Sequence, residues 1–294
     1  MQKSVIIFGG SLGIGRGVAD FFVSRGYGVT VAARGEGSVK EAEGELSLRG
    51  MARGFVVDVS TYSDIKGVVD SHLKYFGCLD CVINAAALQG PIGLLWDNDP
   101  DSWRETILVN LVGSFNICRA ILPVMRKIGG TIVLFSGGGS AYARPHFSAY
   151  GASKTGVLRL VETVDAEIRE SDETGVGCKI KGIKIYAVAP GAVKTRMTNE
   201  VVADRTSAGW RAYEKAVKTE EDGGTSPEKV AELCLFLAEE SPACLSGRLI
   251  HVNEPYREYV RDFEGKEMGD RGLLRREKLR IGNKEYRVRN RCFE

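Results

Sequence analysis

Seven short runs of apolar and β-branched residues alternate with amphipathic stretches along most of this chain. The runs are SVIIFGG, GVTVAAR, GFVVDVS, LDCVINAA, GTIVLFSG, GIKIYAVAPG and GRLIHVNE. Each is apolar on both faces, as a parallel strand held between two layers of helix has to be. The stretches at 14–25, 38–49, 62–76, 101–128, 149–170 and 227–239 carry helical periodicity. This order predicts an α/β fold: a doubly wound, mostly parallel seven-stranded sheet with helices on both faces and right-handed crossovers. With 294 residues, a core of that kind needs no disulfide or metal to hold it.

The charge balance narrows the function. A net charge of +2 gives no reason to expect nucleic acid or an anionic membrane as partner. No apolar run of bilayer length stands out, and MQKSVIIFGGSLGIG passes from strand to glycine turn without a cleavable signal, so the cytoplasm is expected. The seven cysteines are scattered, which fits a reducing compartment. Cys78 and Cys81 form a CxxC, but it leads into a strand and has no second pair at metal spacing. No metal site is expected. Residues 1–255 read as one dinucleotide-binding and catalytic domain. Within it, residues 195–225 are polar and weakly patterned, and they follow the sixth strand, where a substrate lid belongs. Residues 256–294 form a charged extension, either solvated or packed on a neighbouring subunit.

VIIFGGSLGIGRGVADFF is a strand, a glycine turn and a helix. Gly9, Gly13 and Gly15 stand where the backbone must turn tightly and approach a pyrophosphate, with Ser11, Leu12 and Ile14 between them. The phosphates would meet the free N–H groups and positive end of the helix that follows. The spacing GxxxGxG resembles the short-chain dehydrogenase/reductase family, and the resemblance runs over about residues 3–253. It implies a Rossmann-like fold and a nicotinamide cofactor. The second strand ends VAAR, with Ala33 where an acid would hold a free ribose hydroxyl and Arg34 beside it. A guanidinium there suits a 2′-phosphate, so NADP(H) is expected ahead of NAD(H). By the same resemblance Asp58, with Val59, meets the adenine. Asn84, Ala85 and Ala86 match a turn that usually ends in glycine, and Ala86 fits only if its φ is negative. Pro190, Gly191, Val193 and Thr195 in VAPGAVKT match the turn whose threonine meets the nicotinamide carboxamide.

AYGASK places Tyr150 and Lys154 four residues apart on one helix face. A phenol with a pKa near ~10 is a poor base at neutral pH, and a nearby ammonium lowers it. The resemblance makes Tyr150 the acid/base and Lys154 its activator and ribose ligand. Asn110 would hold a water that links the lysine to solvent. The serine of this family usually stands thirteen residues before the tyrosine, a position that falls on Gly137. Ser136 is expected to supply the hydroxyl, with the backbone N–H groups of Gly137 and Gly138 as the second choice and Ser140 as a rival. Arg144 and His146 border the substrate without an assigned catalytic role. Trp103 and Glu254 read as structural.

The expected function is an NADP(H)-dependent alcohol dehydrogenase or carbonyl reductase with a small-molecule substrate. The resemblance implies a homotetramer or homodimer joined through 101–128 and 149–170. Two other classes remain: a cofactor-binding regulator with little catalysis, and a sugar-nucleotide epimerase or dehydratase.

Overall fold

The computed structural model describes residues 2–174, 182–263, 266, 268–269, 271–274, 276–281 and 284–290. The first half alternates β1 (Ser4–Phe8), α1 (Gly13–Ser24), β2 (Gly28–Ala33), α2 (Glu36–Ser47), β3 (Ala52–Val56), α3 (Tyr62–Phe76) and β4 (Cys81–Asn84). It continues with α4 (Pro100–Ile107), α5 (Gly113–Ile128), β5 (Gly130–Phe135), α6 (Ser148–Thr174) and β6 (Ile183–Ala189). Three helices follow, α7 (Arg196–Ala203), α8 (Arg205–Ala208) and α9 (Trp210–Asp222), then α10 (Pro227–Glu240) and β7 (Leu249–His251). Beyond them lie α11 (Tyr256–Phe263), β8 (Arg276–Ile281) and β9 (Lys284–Asn290).

The sheet order is β3-β2-β1-β4-β5-β6-β7, and every neighbouring pair is parallel. The expected seven-stranded doubly wound sheet is therefore present. Its inner strands are sandwiched: Val5 and Ile7 of β1 lie in one core cluster with Phe22 and Leu233, and Ile6 and Phe8 in the other with Ile117 and Val157. At the edge, β3 leaves Val56 exposed, against the expectation that every strand is buried on both faces. The order reverses between β1 and β4. That switch point opens a crevice at the carboxyl ends of the two strands, where such sheets bind ligands.

Three parts differ from the sequence reading. The polar stretch 195–225 is mostly helical. Its apolar residues are few and spread over three short helices, which blurs their period. Val201, Ala208 and Ala216 nonetheless bury with Phe147 into a small second core, against which Tyr150 packs. The start of the extension also packs on the domain. Tyr256, Tyr259, Val260 and Phe263 lie against the core, and Gly272 O accepts from Leu249 N at the edge of β7 (2.9 Å). The β8–β9 hairpin is antiparallel and separate from the main sheet. Finally, Pro100–Ile128 does contain an apolar run long enough to cross a bilayer by length and composition alone. Packing accounts for that composition, because Ile117, Ile121 and Met125 are fully buried beneath the sheet.

Candidate active site

The glycine turn after β1 is shaped by contacts that only glycine permits. Gly9 has φ +74°, and a Cβ there would stand 2.5 Å from Ala86 N. A Cβ on Gly15 would collide with Gly9 O. Gly13 has φ +55° and faces the Thr195 methyl, so the turn meets the start of α7. A backbone this close-packed leaves the N-terminus of α1 open toward the crevice. It fits a pyrophosphate, whose oxygens take N–H donors rather than side chains. Leu12 is exposed at the mouth of the turn, Ile14 packs against the core, and Ser11 Oγ lies 3.1 Å from Ser38 Oγ.

The turn after β4 closes the other side. Asn84 Nδ2 donates to Ser114 Oγ (3.0 Å), and Asn84 Oδ1 accepts from Ala86 N (3.1 Å). Ala86 is not among the residues with positive φ, so alanine is tolerated where glycine is usual. Ala85 N is held by Phe8 O at 2.8 Å. Asp58 Oδ1 accepts from the N–H and hydroxyl of Ser60, which fixes the carboxylate at the end of β3, and Val59 is buried against Gly113. After β6, Gly191 turns with φ +75° beside Thr225, and Val193 is buried. Thr195 caps α7 in a reciprocal box with Thr198. Arg34 follows β2 and is half-exposed, ion-paired with Glu105 at 3.1 Å.

The chemical groups meet at the end of β5. Lys154 is buried, and its Nζ donates to Phe135 O at 2.8 Å. Burial pushes the ammonium down to about 8, because the low-dielectric surroundings disfavour charge. Burial also pushes the Tyr150 phenol up, while the Arg144 guanidinium pulls it down and Tyr142 pushes it up. Lys154 Nζ lies 5.7 Å from the Tyr150 ring centre and the Arg144 guanidinium carbon 5.1 Å from it, so two cations flank the phenol. The sequence reading assigned the lowering of the phenol's pKa to Lys154 with the positive nicotinamide ring, and did not include Arg144.

Position 137 faces the tyrosine hydroxyl. A Cβ on Gly137 would lie 2.6 Å from Tyr150 Oη. Ser136 points elsewhere: its Oγ donates to Lys154 O at 3.2 Å. Side chains alternate along a strand, so the neighbour of Gly137 turns to the other face and meets the α6 backbone. Ser140 Oγ donates to Gly137 O at 2.8 Å and closes the turn on itself. Among the described residues, the N–H groups of Gly137 and Gly138 have no protein acceptor.

Asn110 occupies a single π-helical turn, Leu108–Val112, between α4 and α5. Such turns widen a helix by one residue and recur at functional sites. Its Oδ1 accepts from Leu88 N (2.8 Å), and its Nδ2 donates to Leu88 O (2.9 Å) and Ser153 Oγ (3.0 Å). Asn110 thus ties the loop after β4 to the residue beside Lys154.

Among the neighbours of Tyr150, Tyr142 had no advance assignment. Tyr142 is exposed, with its hydroxyl against Gly138. Arg144 stacks on Phe147 and Tyr150. His146 adopts a left-handed φ of 71°, its ring packs on Gly209 and its O accepts from Gly93 N. Trp103 is structural as expected, donating to Ser148 Oγ (3.1 Å) at the start of α6. Glu254 accepts from His251 N. Among the described residues no cluster of His, Cys, Asp and Glu could hold a metal.

Known proteins share the family pattern and the fold of this chain. The profile of the short chain dehydrogenase family matches residues 3–206. The 3-oxoacyl-[acyl-carrier-protein] reductase FabG of Thermotoga maritima is 30% identical over 259 residues, covering 85% of this chain and 96% of its own. The L-fucose dehydrogenase of Mus musculus is 26% identical over 268 residues, 91% of this chain and 93% of its own. An NAD+-bound xylitol dehydrogenase superposes with a TM-score of 0.75 at 20% identity, covering 85% of this chain and 96% of that one. An actinorhodin polyketide ketoreductase with NADPH gives 0.73 at 24% identity, covering 85% and 95%.

Proposed function

Since the chain belongs to the short chain dehydrogenase family, we propose that it is an NADP(H)-dependent oxidoreductase interconverting a secondary alcohol and a carbonyl, with Tyr150 as acid/base. The observation that carries this reading is the convergence of Tyr150 and Lys154 on the end of β5, which only β4 separates from the strand that ends in the glycine turn. A regulator without chemistry has no use for a buried ammonium beside a phenol.

The cofactor would rest on the turn of Gly9, Gly13 and Gly15, with Asp58 and Val59 at the adenine and Asn84, Ala85 and Ala86 beneath it. Pro190, Gly191, Val193 and Thr195 would border the nicotinamide, and Lys154 would reach the ribose. When bound, the nicotinamide gives or takes the hydride. Arg34 supports NADP(H), because no acid stands at Ala33 to pair a free ribose hydroxyl. Its ion pair with Glu105 is half-exposed and weak, so a phosphate can recruit the fork.

In reduction, Tyr150 gives its proton to the carbonyl oxygen as that oxygen gains charge; in oxidation it removes the hydroxyl proton. Lys154 holds positive charge nearby. Asn110 orients the adjoining backbone through Leu88 and Ser153. The hydroxyls of Ser136 and Ser140 are engaged with backbone carbonyls, so we assign polarisation of the substrate oxygen to the N–H groups of Gly137 and Gly138.

Residues 1–255 form the catalytic domain, and α7–α9 cover the substrate side as a lid. Two copies or more associate through α4–α5 and α6, where Leu108 and Phe115 are exposed. Cys78, Cys81, Cys118 and Cys234 are free thiols, which fits the cytoplasm. The test is to supply NADPH or NADH with a panel of ketones, keto acids and oxidised sugars and to follow nicotinamide absorbance. Carbonyl-dependent oxidation of NADPH is expected. Cofactor binding with no turnover of any carbonyl would overturn the proposal in favour of a regulator.

A further inference from the structure

A second cation stands beside Tyr150 that the proton transfer alone does not require. The guanidinium carbon of Arg144 lies 3.8 Å from the Phe147 ring centre and 5.1 Å from that of Tyr150. The side chain is partly buried, and burial lowers its pKa. Other arginines of this chain sit on acids: Arg34 on Glu105, Arg159 on Glu162 and Arg169 on Asp165. Arg144 has no acid or carbonyl partner among the described residues. The groups whose charge it feels are the phenols of Tyr150 and Tyr142. The segment that carries it, AYARPHFSAY, contains no Asp or Glu.

A partly buried guanidinium with no anion loses hydration, and stacking on rings offsets only part of that cost. Stacking does fix the fork in place, so little rotamer freedom is left to lose when a ligand binds. The loop around it is pinned as well, by Gly93 N donating to His146 O at 2.9 Å and Phe147 N donating to Arg144 O at 3.3 Å. A rigid five-donor fork is shaped for a carboxylate. Tyr142 offers a further hydroxyl, held against Gly138, which has no side chain to displace it.

We propose that Arg144 binds a carboxylate of the substrate, so that the natural substrate is a keto acid or hydroxy acid whose carboxylate lies close to the reacting carbon. This rests on the reading of Tyr150 as acid/base. The carboxylate fixes the carbonyl against Tyr150 and supplies the missing anion at once.

The test compares pyruvate with methyl pyruvate, and 3-oxobutanoate with its methyl ester, at saturating NADPH. Wild type is expected to prefer an acid over its ester. Arg144→Gln should lower kcat/KM for the acid roughly 10- to 100-fold more than for the ester, with the excess loss chiefly in KM. Arg144→Lys should recover part of the loss, because charge returns without the fork. Equal use of acid and ester by wild type overturns the proposal. So does an equal fall for both in Arg144→Gln, which would make Arg144 a group that acts on Tyr150 alone. A second measurement needs no turnover: quenching of NADPH fluorescence by each acid in Tyr150→Phe, with and without Arg144→Gln. Tighter binding of the acid than of the ester, lost with Arg144→Gln, supports the proposal; no difference sinks it. Turnover by Tyr150→Phe would instead refute the acid/base reading while leaving this binding result intact.

Discussion

Adding one methyl group at Gly137 should disable the enzyme without unfolding it. The Cβ of Gly137→Ala would lie 2.6 Å from Tyr150 Oη and 3.4 Å from its Cε1 and Cζ. Comfortable contact needs roughly 3.5 Å, so the phenol must retreat by about 0.9 Å. The tyrosine has little room to do so, since its ring is backed by Phe147 and by the small core of α7–α9. A misplacement of about 1 Å at the reacting atom can lower the rate on the order of 10²-fold, or roughly 3 kcal/mol in the barrier. The assay is kcat at saturating cofactor, with cofactor affinity and Tm measured alongside. Both controls should stay near wild type, because the glycine turn and Lys154 are untouched. Gly137→Ser should be no better than Gly137→Ala: the hydroxyl returns to the family's usual position, but its Cβ meets the same oxygen. If Gly137→Ala keeps kcat within threefold, the close approach of Tyr150 to the β5 end is wrong. A gain in kcat from Gly137→Ser would show that the phenol yields easily and that a side-chain hydroxyl is the better donor.

Other expectations follow from single contacts. Arg34→Ala should weaken NADP(H) by roughly 1.5–3 kcal/mol and leave NAD(H) nearly unchanged, whereas Glu105→Gln, which frees the fork, should tighten NADP(H); equal losses for both cofactors in titration would contradict the assignment. Lys154 loses its proton near pH 8, so kcat/KM for reduction should fall as pH rises through about 8; Lys154→Arg, which stays charged, should move that limb upward, and an unmoved limb would reassign it. His72 is buried between Ser4 Oγ (3.0 Å) and Thr30 Oγ1 (2.8 Å), and burial pushes its pKa down to about 4 from 6.5. Unfolding lets it take a proton over that window, so up to about 3 kcal/mol of stability should be lost as pH falls from 6.5 to 4; His72→Gln should flatten the slope in urea melts, and an unchanged slope would refute this origin.

The sheet was legible because parallel strands and their crossover helices write their pattern into nearly every residue. The glycine turn was legible for a related reason: Gly9 and Gly15 are fixed by backbone collisions that no side chain could avoid. What was hidden depended on direction rather than identity. Counting along LFSGGG cannot tell which of Ser136 and Gly137 faces Tyr150, since neighbours on a strand point to opposite sides. The π-helical turn at Asn110 leaves the helical pattern of 101–128 unbroken to the eye. Helices α7–α9 carry short apolar faces made largely of alanine and valine, below what periodicity resolves. A signal for their boundaries was present, however, in Thr195 with Thr198 and in Asp204 accepting from Ser207 N. Arg144 stands six residues before Tyr150, and only the fold shows that it stacks on the phenol ring.

The central claim is that Tyr150 carries the proton while the rest of the site holds the cofactor and substrate. Single-turnover measurement of Tyr150→Phe, loaded with NADPH and given a reducible carbonyl, tests it most directly. The account predicts NADPH affinity within about twofold of wild type and a chemical step slower on the order of 10²–10⁴-fold. A chemical step within tenfold of wild type, at unchanged NADPH affinity, would contradict it.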